Sequence, residues 1–113
     1  MSTKKHPKYR HLPVFILLML AEGSAHGGAI HTKLIERLPN FQCDTGAIYR
    51  TLKKLEEDGN VIFSWDTTNA GPARKIYSIT DKGLTQLDNW KQDIEDRIIC
   101  LQYFLNKYKD LKR

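Results

Sequence analysis

Arg50, Lys53 and Lys54 fall within one short segment, Thr45 to Gly59, which then turns acidic at Glu56-Glu57-Asp58. Guanidinium and ammonium groups grouped in this way can donate to phosphate oxygens and to the edges of bases. A second basic pair, Arg74-Lys75, follows Gly71-Pro72-Ala73. The chain as a whole carries 18 Lys+Arg against 13 Asp+Glu, a net charge of +5. That balance favours a polyanion or an acidic membrane surface as partner. Catalytic groupings are missing. His6, His11, His26 and His31 form no HxxxH, HExxH or His/Cys cluster, and there is no GxSxG, P-loop or GxGxxG. Ser64, Ser78 and Cys100 have no base beside them in sequence. His26, just before Gly27 at a helix start, is expected to cap that helix. The sequence therefore points away from an enzyme, a metal and a cofactor.

At 113 residues the chain is long enough for one domain with a helical appendage and a small core. With 41% hydrophobic and 27% charged residues, the composition excludes low-complexity and collagen-like chains. Cys43 and Cys100 lie far apart and without metal-ligand spacing, as expected of two incidental thiols in a reduced, cytoplasmic protein. The apolar run Val14–Ala21 follows a basic stretch but is too short to span a bilayer. It reads as a buried helix and not as a signal peptide, and no membrane partner is expected.

The elements that must position the cations follow from periodicity. Residues 1–11, with Lys4, Lys5, Lys8 and Arg10, read as a basic arm, solvated or reaching nucleic-acid phosphate. Pro13 suits the first turn of a helix that ends near Gly23, apolar on nearly every side. A second helix is predicted from about Gly27 to Leu38. A third starts at Asp44 or Thr45, buries Ile48, Leu52 and Leu55, and stops at Gly59. The period then changes. Val61–Trp65 and Lys75–Ile79 read as strands of a hairpin around the turn-rich stretch 66–74. Thr80 or Asp81 caps a last helix running to about Lys109.

Three helices, a hairpin and a long helix describe a mainly α protein with a small β-hairpin, a winged helix-turn-helix. Its third helix would enter the major groove. Leu52 and Leu55 mark the buried side, so Thr45, Tyr49, Arg50, Lys53 and Lys54 are the candidate DNA contacts, with Arg74 and Lys75 on the wing. The acids at 56–58 are expected to point away from the groove. Mixed charge is also what a plain solvated face carries, but bases before acids oppose the helix dipole, and a purely structural helix would gain from the reverse order.

Leu20-Ala21-Glu22-Gly23-Ser24-Ala25-His26-Gly27 resembles the LAEGPAHGY segment of PadR-family transcriptional regulators. Thr45 to Gly59 resembles that family's PGTVYPTLKRLEEEG helix, and Gly71 to Tyr77 and Ile79 to Gly83 resemble its wing and the turn that follows. The likeness covers about residues 12–90, and within the family the wing and Leu87-Asp88-Asn89-Trp90 are most similar to the poly-β-hydroxybutyrate-responsive repressors. Two departures stand out. Gly28 occupies the place of the family's Tyr, and Arg50 that of a common Pro.

The last helix carries a heptad seam. Positions a are Leu84, Lys91, Ile98 and Leu105; positions d are Leu87, Ile94, Leu101 and Tyr108, with Lys91 the one interruption. The seam runs about 37 Å at 1.5 Å per residue, long for one small winged domain to cover. The expectation is a homodimer, which the resemblance also implies, with the winged domain at 12–80 and a dimerisation helix at 81–113. Trp90, Phe104 and Ile99 beside the seam, with Ile94 on it, could line a pocket between protomers for a small apolar effector, though plain core is the alternative for Trp90. The resulting reading is a homodimeric repressor of a double-stranded DNA operator, released by an effector. A winged-helix protein adaptor and an architectural DNA binder are the alternatives.

Overall fold

The computed structural model describes residues 11–68 and 71–111, so the basic arm predicted for residues 1–11 lies outside it except for His11. The order is α1 (Leu12–Glu22), α2 (Gly27–Arg37), α3 (Thr45–Glu57), β1 (Val61–Asp66), β2 (Arg74–Ile79) and α4 (Asp81–Lys109). Among the described residues no helix is long and apolar enough to cross a membrane.

Pro13 sits in the first turn of α1, where a missing N–H leaves no helical bond unmade. Leu12, Val14, Ile16, Leu17, Met19 and Leu20 are all buried, which makes α1 the axis of the core. Around it gather Ile30 and Leu34 of α2, Ile48, Leu52 and Leu55 of α3, and Val61 and Tyr77 of the hairpin. Arg37 donates to Glu22 at 2.7 Å and so braces the end of α2 against the end of α1. That hydrogen bond is the main reason the Glu22 carboxyl is held below the usual carboxylate range. Cys43 is buried and Cys100 exposed, and both are free thiols.

The helix ends follow their capping residues. Nδ1 of His26 accepts from the Ala29 amide at 3.3 Å and caps α2, the role its position before Gly27 predicts. Asp44, not Thr45, caps α3, accepting from the Ala47 amide at 2.7 Å. The far end of α3 closes in a Schellman turn, with Asn60 N donating to Leu55 O and Gly59 N to Glu56 O. Gly59 takes the φ of +82° that this turn requires. Thr80 caps α4 through Gly83 N at 3.1 Å and donates its own hydroxyl proton to Gly59 O at 2.7 Å.

β1 and β2 pair antiparallel with Phe63 opposite Tyr77 and Trp65 opposite Lys75. Each strand is one residue longer than predicted, because Asp66 and Arg74 also pair. A further bridge joins Ala25 to Tyr77 through two backbone bonds, of 3.1 and 2.9 Å. The α1–α2 connection is thereby stitched to the wing. Sequence periodicity carried no sign of it, since a single-residue bridge has no period.

Candidate nucleic-acid interface

α3 presents Thr45, Tyr49, Arg50 and Lys53 on the side opposite Ile48, Leu52 and Leu55. His31 fixes the approach to this helix. Its Nε2 lies 2.7 Å from Cys43 O, and since a carbonyl can only accept, the imidazole N–H donates. The loop before α3 is thus tied to α2. Arg50 curls back along the first turn, with its guanidinium 4.0 Å from Asp44 Oδ1 and close against Gly46. It remains about three-quarters exposed (74%), so the contact is weak and the group stays available at the helix N-terminal end.

Across from α3 the wing completes a cavity of about 560 Å³, lined by Tyr49, Lys53, Glu56, Glu57, Arg74, Lys75, Tyr77 and His26. Lys53 and Arg74 therefore face one shared space from the two elements expected to carry them. Two acids share it as well. Glu56 lies two turns after Tyr49 on the same face, so the expectation that residues 56–58 all point away does not hold for Glu56 and Glu57. The i, i+7 spacing of Tyr49 and Glu56 was readable in the sequence. Asp58 is the acid that does turn aside, pairing with Lys54 at 3.5 Å.

Two predicted cations sit differently from the rest. Lys54 lies on the flank of α3 nearest α4, beside Pro13, Gln86 and Trp90, away from the wing. Lys75 lines the cavity too, but its ammonium rests against the hairpin's aromatic face, 4.1 Å from the Phe63 ring centroid and 4.0 Å from Glu56 Oε1. Gly27 and His26 belong to the site though only the capping role was foreseen. A Cβ on Gly27 would stand 2.7 Å from Tyr49 Cζ, so this glycine makes room for the Tyr49 ring over the first turn of α2. Burial pushes the Tyr77 hydroxyl up from its ordinary range, helped by Glu56 and Tyr49 nearby. Gly28 imposes no such demand, since an added Cβ would meet only the His26 ring at ordinary contact distance.

The predicted seam of α4 divides. Leu87 packs against the core of its own chain, together with Phe15 and Phe63. Ile94 is half-buried, while Leu84, Ile98, Leu101, Leu105 and Tyr108 are exposed. Lys91, at the interruption, pairs with Glu95 at 2.9 Å along its own helix. Trp90 and Ile94 border different hollows of the single chain. Trp90 meets His11 edge-on at 5.5 Å and borders a cleft of about 210 Å³ with Pro13 and Leu17. Ile94 borders a separate hollow of about 550 Å³ with Arg97, Ile98 and Leu101. Among the described residues no group of His, Cys, Asp and Glu could hold a metal ion.

A helical pair set by a capped turn, a hairpin wing and a basic helix face beside it define a winged helix-turn-helix protein. Residues 16–89 match the transcriptional regulator PadR-like family, and the chain belongs to it. The negative transcriptional regulator PadR of Bacillus subtilis (strain 168) is 28% identical over 105 residues, 86% of this chain. The chain spans only 58% of that relative's length. The crystal structure of TM0937, described as a conserved protein of unknown function and a potential transcriptional factor, is similar at 32% identity. Its TM-score is 0.79, with 96% of each chain covered. Bacillus subtilis PadR in complex with operator DNA matches at 31% identity and a TM-score of 0.65, over 70% of this chain and 46% of that one.

Proposed function

We propose that this chain is a sequence-specific DNA-binding regulator that acts as a homodimeric repressor and is released by a small apolar effector. The observation that carries the DNA reading is the pairing of two elements. Tyr49, Arg50 and Lys53 lie on the outer face of α3, and Arg74 faces from the wing the cavity that Tyr49 and Lys53 line. A helix of this width fits the major groove, and a wing beside it reaches the adjacent backbone. The similar Bacillus subtilis protein seen with operator DNA, and named a negative regulator, supports both the target and the sign.

The dimer reading rests on α4. Ile98, Leu101, Leu105 and Tyr108 share a stripe that the chain's own head leaves uncovered. A second α4 supplies the matching stripe under two-fold symmetry. Two recognition helices then lie about 34 Å apart, which asks for inverted half-sites one helical turn apart. Sedimentation of the intact chain is expected to give twice the 13.1 kDa of one chain. Deleting residues 95–113 is expected to give a monomer or an insoluble chain, and a well-behaved 13.1 kDa species from the full chain removes the dimer. The effector reading rests on Trp90 and Ile94 bordering two hollows that a partner's helix would adjoin. Titrating small apolar compounds is expected to change Trp90 emission, and the change should vanish in Trp90→Phe.

Gel shifts with DNA from upstream of the gene, against a random duplex, test the whole. A specific regulator shifts the first alone, an adaptor neither, an architectural protein both alike. Arg50→Ala is expected to cost about 1–3 kcal/mol of operator binding and to relax preference at one position. Arg74→Ala is expected to weaken all sequences alike and to lower the salt slope by about one unit. Wild-type affinity in both variants overturns the docking.

A further inference from the structure

Lys75 is a wing cation whose ammonium is already engaged within the protein. The hairpin register sets Phe63, Trp65, Lys75 and Tyr77 on one face. Its Nζ stands 4.1 Å from the Phe63 ring centroid and 5.9 Å from that of Trp65. The carboxylate of Glu56, on the recognition helix, approaches it to 4.0 Å, and both side chains are about one-third exposed (37% and 34%). Glu56 needs such a partner. It lines the same cavity as Lys53 and Arg74, where an uncompensated carboxylate would repel approaching phosphate.

From this geometry we infer that Glu56 and Lys75 form a clasp that fixes the wing against the recognition helix. Lys75 is then a positioning residue, and the phosphate contact of the wing falls to its exposed neighbour Arg74. The inference rests on the DNA-binding reading and refines it. In the clasp the Phe63 face holds the ammonium from one side and the Glu56 carboxylate from another. The pair spans α3 and β2, the two elements whose separation decides whether groove and backbone are met together. Breaking it leaves both elements folded but loosens their spacing.

The test reads the number of phosphates neutralised, using a duplex from upstream of the gene between 50 and 200 mM salt, where each contact adds about 0.9 to the log–log slope. Arg74→Ala is expected to lower the slope by about 0.9. Lys75→Met, which keeps the stem over Phe63, is expected to leave the slope unchanged while weakening binding several-fold at every salt concentration. Lys75→Arg should restore the affinity. Glu56→Gln should free the ammonium and raise the slope by about 0.9, and adding Lys75→Met to it should reverse that gain. A Lys75→Met slope lowered as much as that of Arg74→Ala overturns the clasp.

A readout on the free protein separates this inference from the DNA reading. The ring current of Phe63 should move the Lys75 ε-methylene resonance upfield, and Glu56→Gln should collapse that shift. An unshifted resonance in the wild type overturns the clasp whatever the DNA results. If the wild type binds no duplex, the DNA reading fails and the resonance alone decides whether the pair forms.

Discussion

In α1, Leu12, Ile16, Leu17 and Leu20 are buried within their own chain, whereas in the outer half of α4, Ile98, Leu101, Phe104 and Leu105 stand 56 to 64% exposed. Both stretches are rich in apolar residues. They differ in what surrounds them, since α1 runs through the centre of the head and α4 continues past it, along a molecule 63 Å in its longest dimension. Ile99 and Tyr103 sharpen the contrast, for they lie off the heptad stripe and are exposed on another side of α4. Apolar patterning records that a surface is to be covered. Whether the cover comes from the same chain is decided by how far the neighbouring elements reach.

The largest expected effect tests this division directly. Leu52→Ala empties a fully buried site and is expected to cost about 2–5 kcal/mol, independent of protein concentration. Leu101→Ala is expected to change the stability of the isolated chain by no more than about 0.5 kcal/mol. If α4 pairs with a second copy, its effect appears instead as a melt that depends more steeply on dilution. Urea or thermal melts at two concentrations tell these apart, and equal, concentration-independent losses in both variants erase the distinction.

The next effect lies at the junction of the two regions. A Cβ on Gly83 would collide with the carbonyl oxygen of Asn60 and with Ile79 Cγ1 at 2.6 Å. Backbone cannot yield as a flexible side chain can, so Gly83→Ala is expected to cost about 1–3 kcal/mol. A melt within error of wild type would show that the junction is looser than this contact implies. The cost should be the same with or without residues 95–113 if the junction belongs wholly to the head.

The smallest effect concerns pH and the head alone. Arg37 holds the Glu22 carboxyl below the usual range, so the folded state binds this proton less readily than the unfolded chain does. Stability from this source is complete above the ordinary Glu pKa of about 4.3 and is lost as pH falls through the lower folded value. Melts of wild type and Glu22→Gln are expected to differ slightly at neutral pH and to converge in acid. A gap that persists in strong acid would trace the difference to packing instead.

What the sequence made legible follows from which interactions are local. The four helices and the hairpin follow from spacing, Pro13, Asp44, Gly59 and Thr80, all of which act within a few residues of themselves. Tyr49, Arg50 and Lys53 were readable because their face is fixed by Leu52 and Leu55. Lys75 was not, because its surroundings come from Phe63 and Glu56, which only the folded hairpin brings near. The Ala25–Tyr77 bridge and the room Gly27 leaves for Tyr49 are also long-range meetings of single residues. Leu87 shows the limit of a heptad register, since one stripe can belong to the core at one end and stand exposed at the other.

The junction at Gly83 has a mechanical consequence. With Thr80 bonded to both Asn60 O and Gly59 O, α4 leaves the head from a bearing held by two hydrogen bonds. At 1.5 Å per residue, the 29 residues of α4 make a lever about 43 Å long. Each degree of tilt at the bearing then sweeps the far tip through roughly 0.75 Å, by the same rise. A rigid α4 would carry a sideways displacement of its tip back to the turn that ends α3, where Asn60 O accepts from the Thr80 amide. Leverage of this kind would turn an ångström-scale sideways movement of the tip into about a degree of tilt at the base, by the same rise.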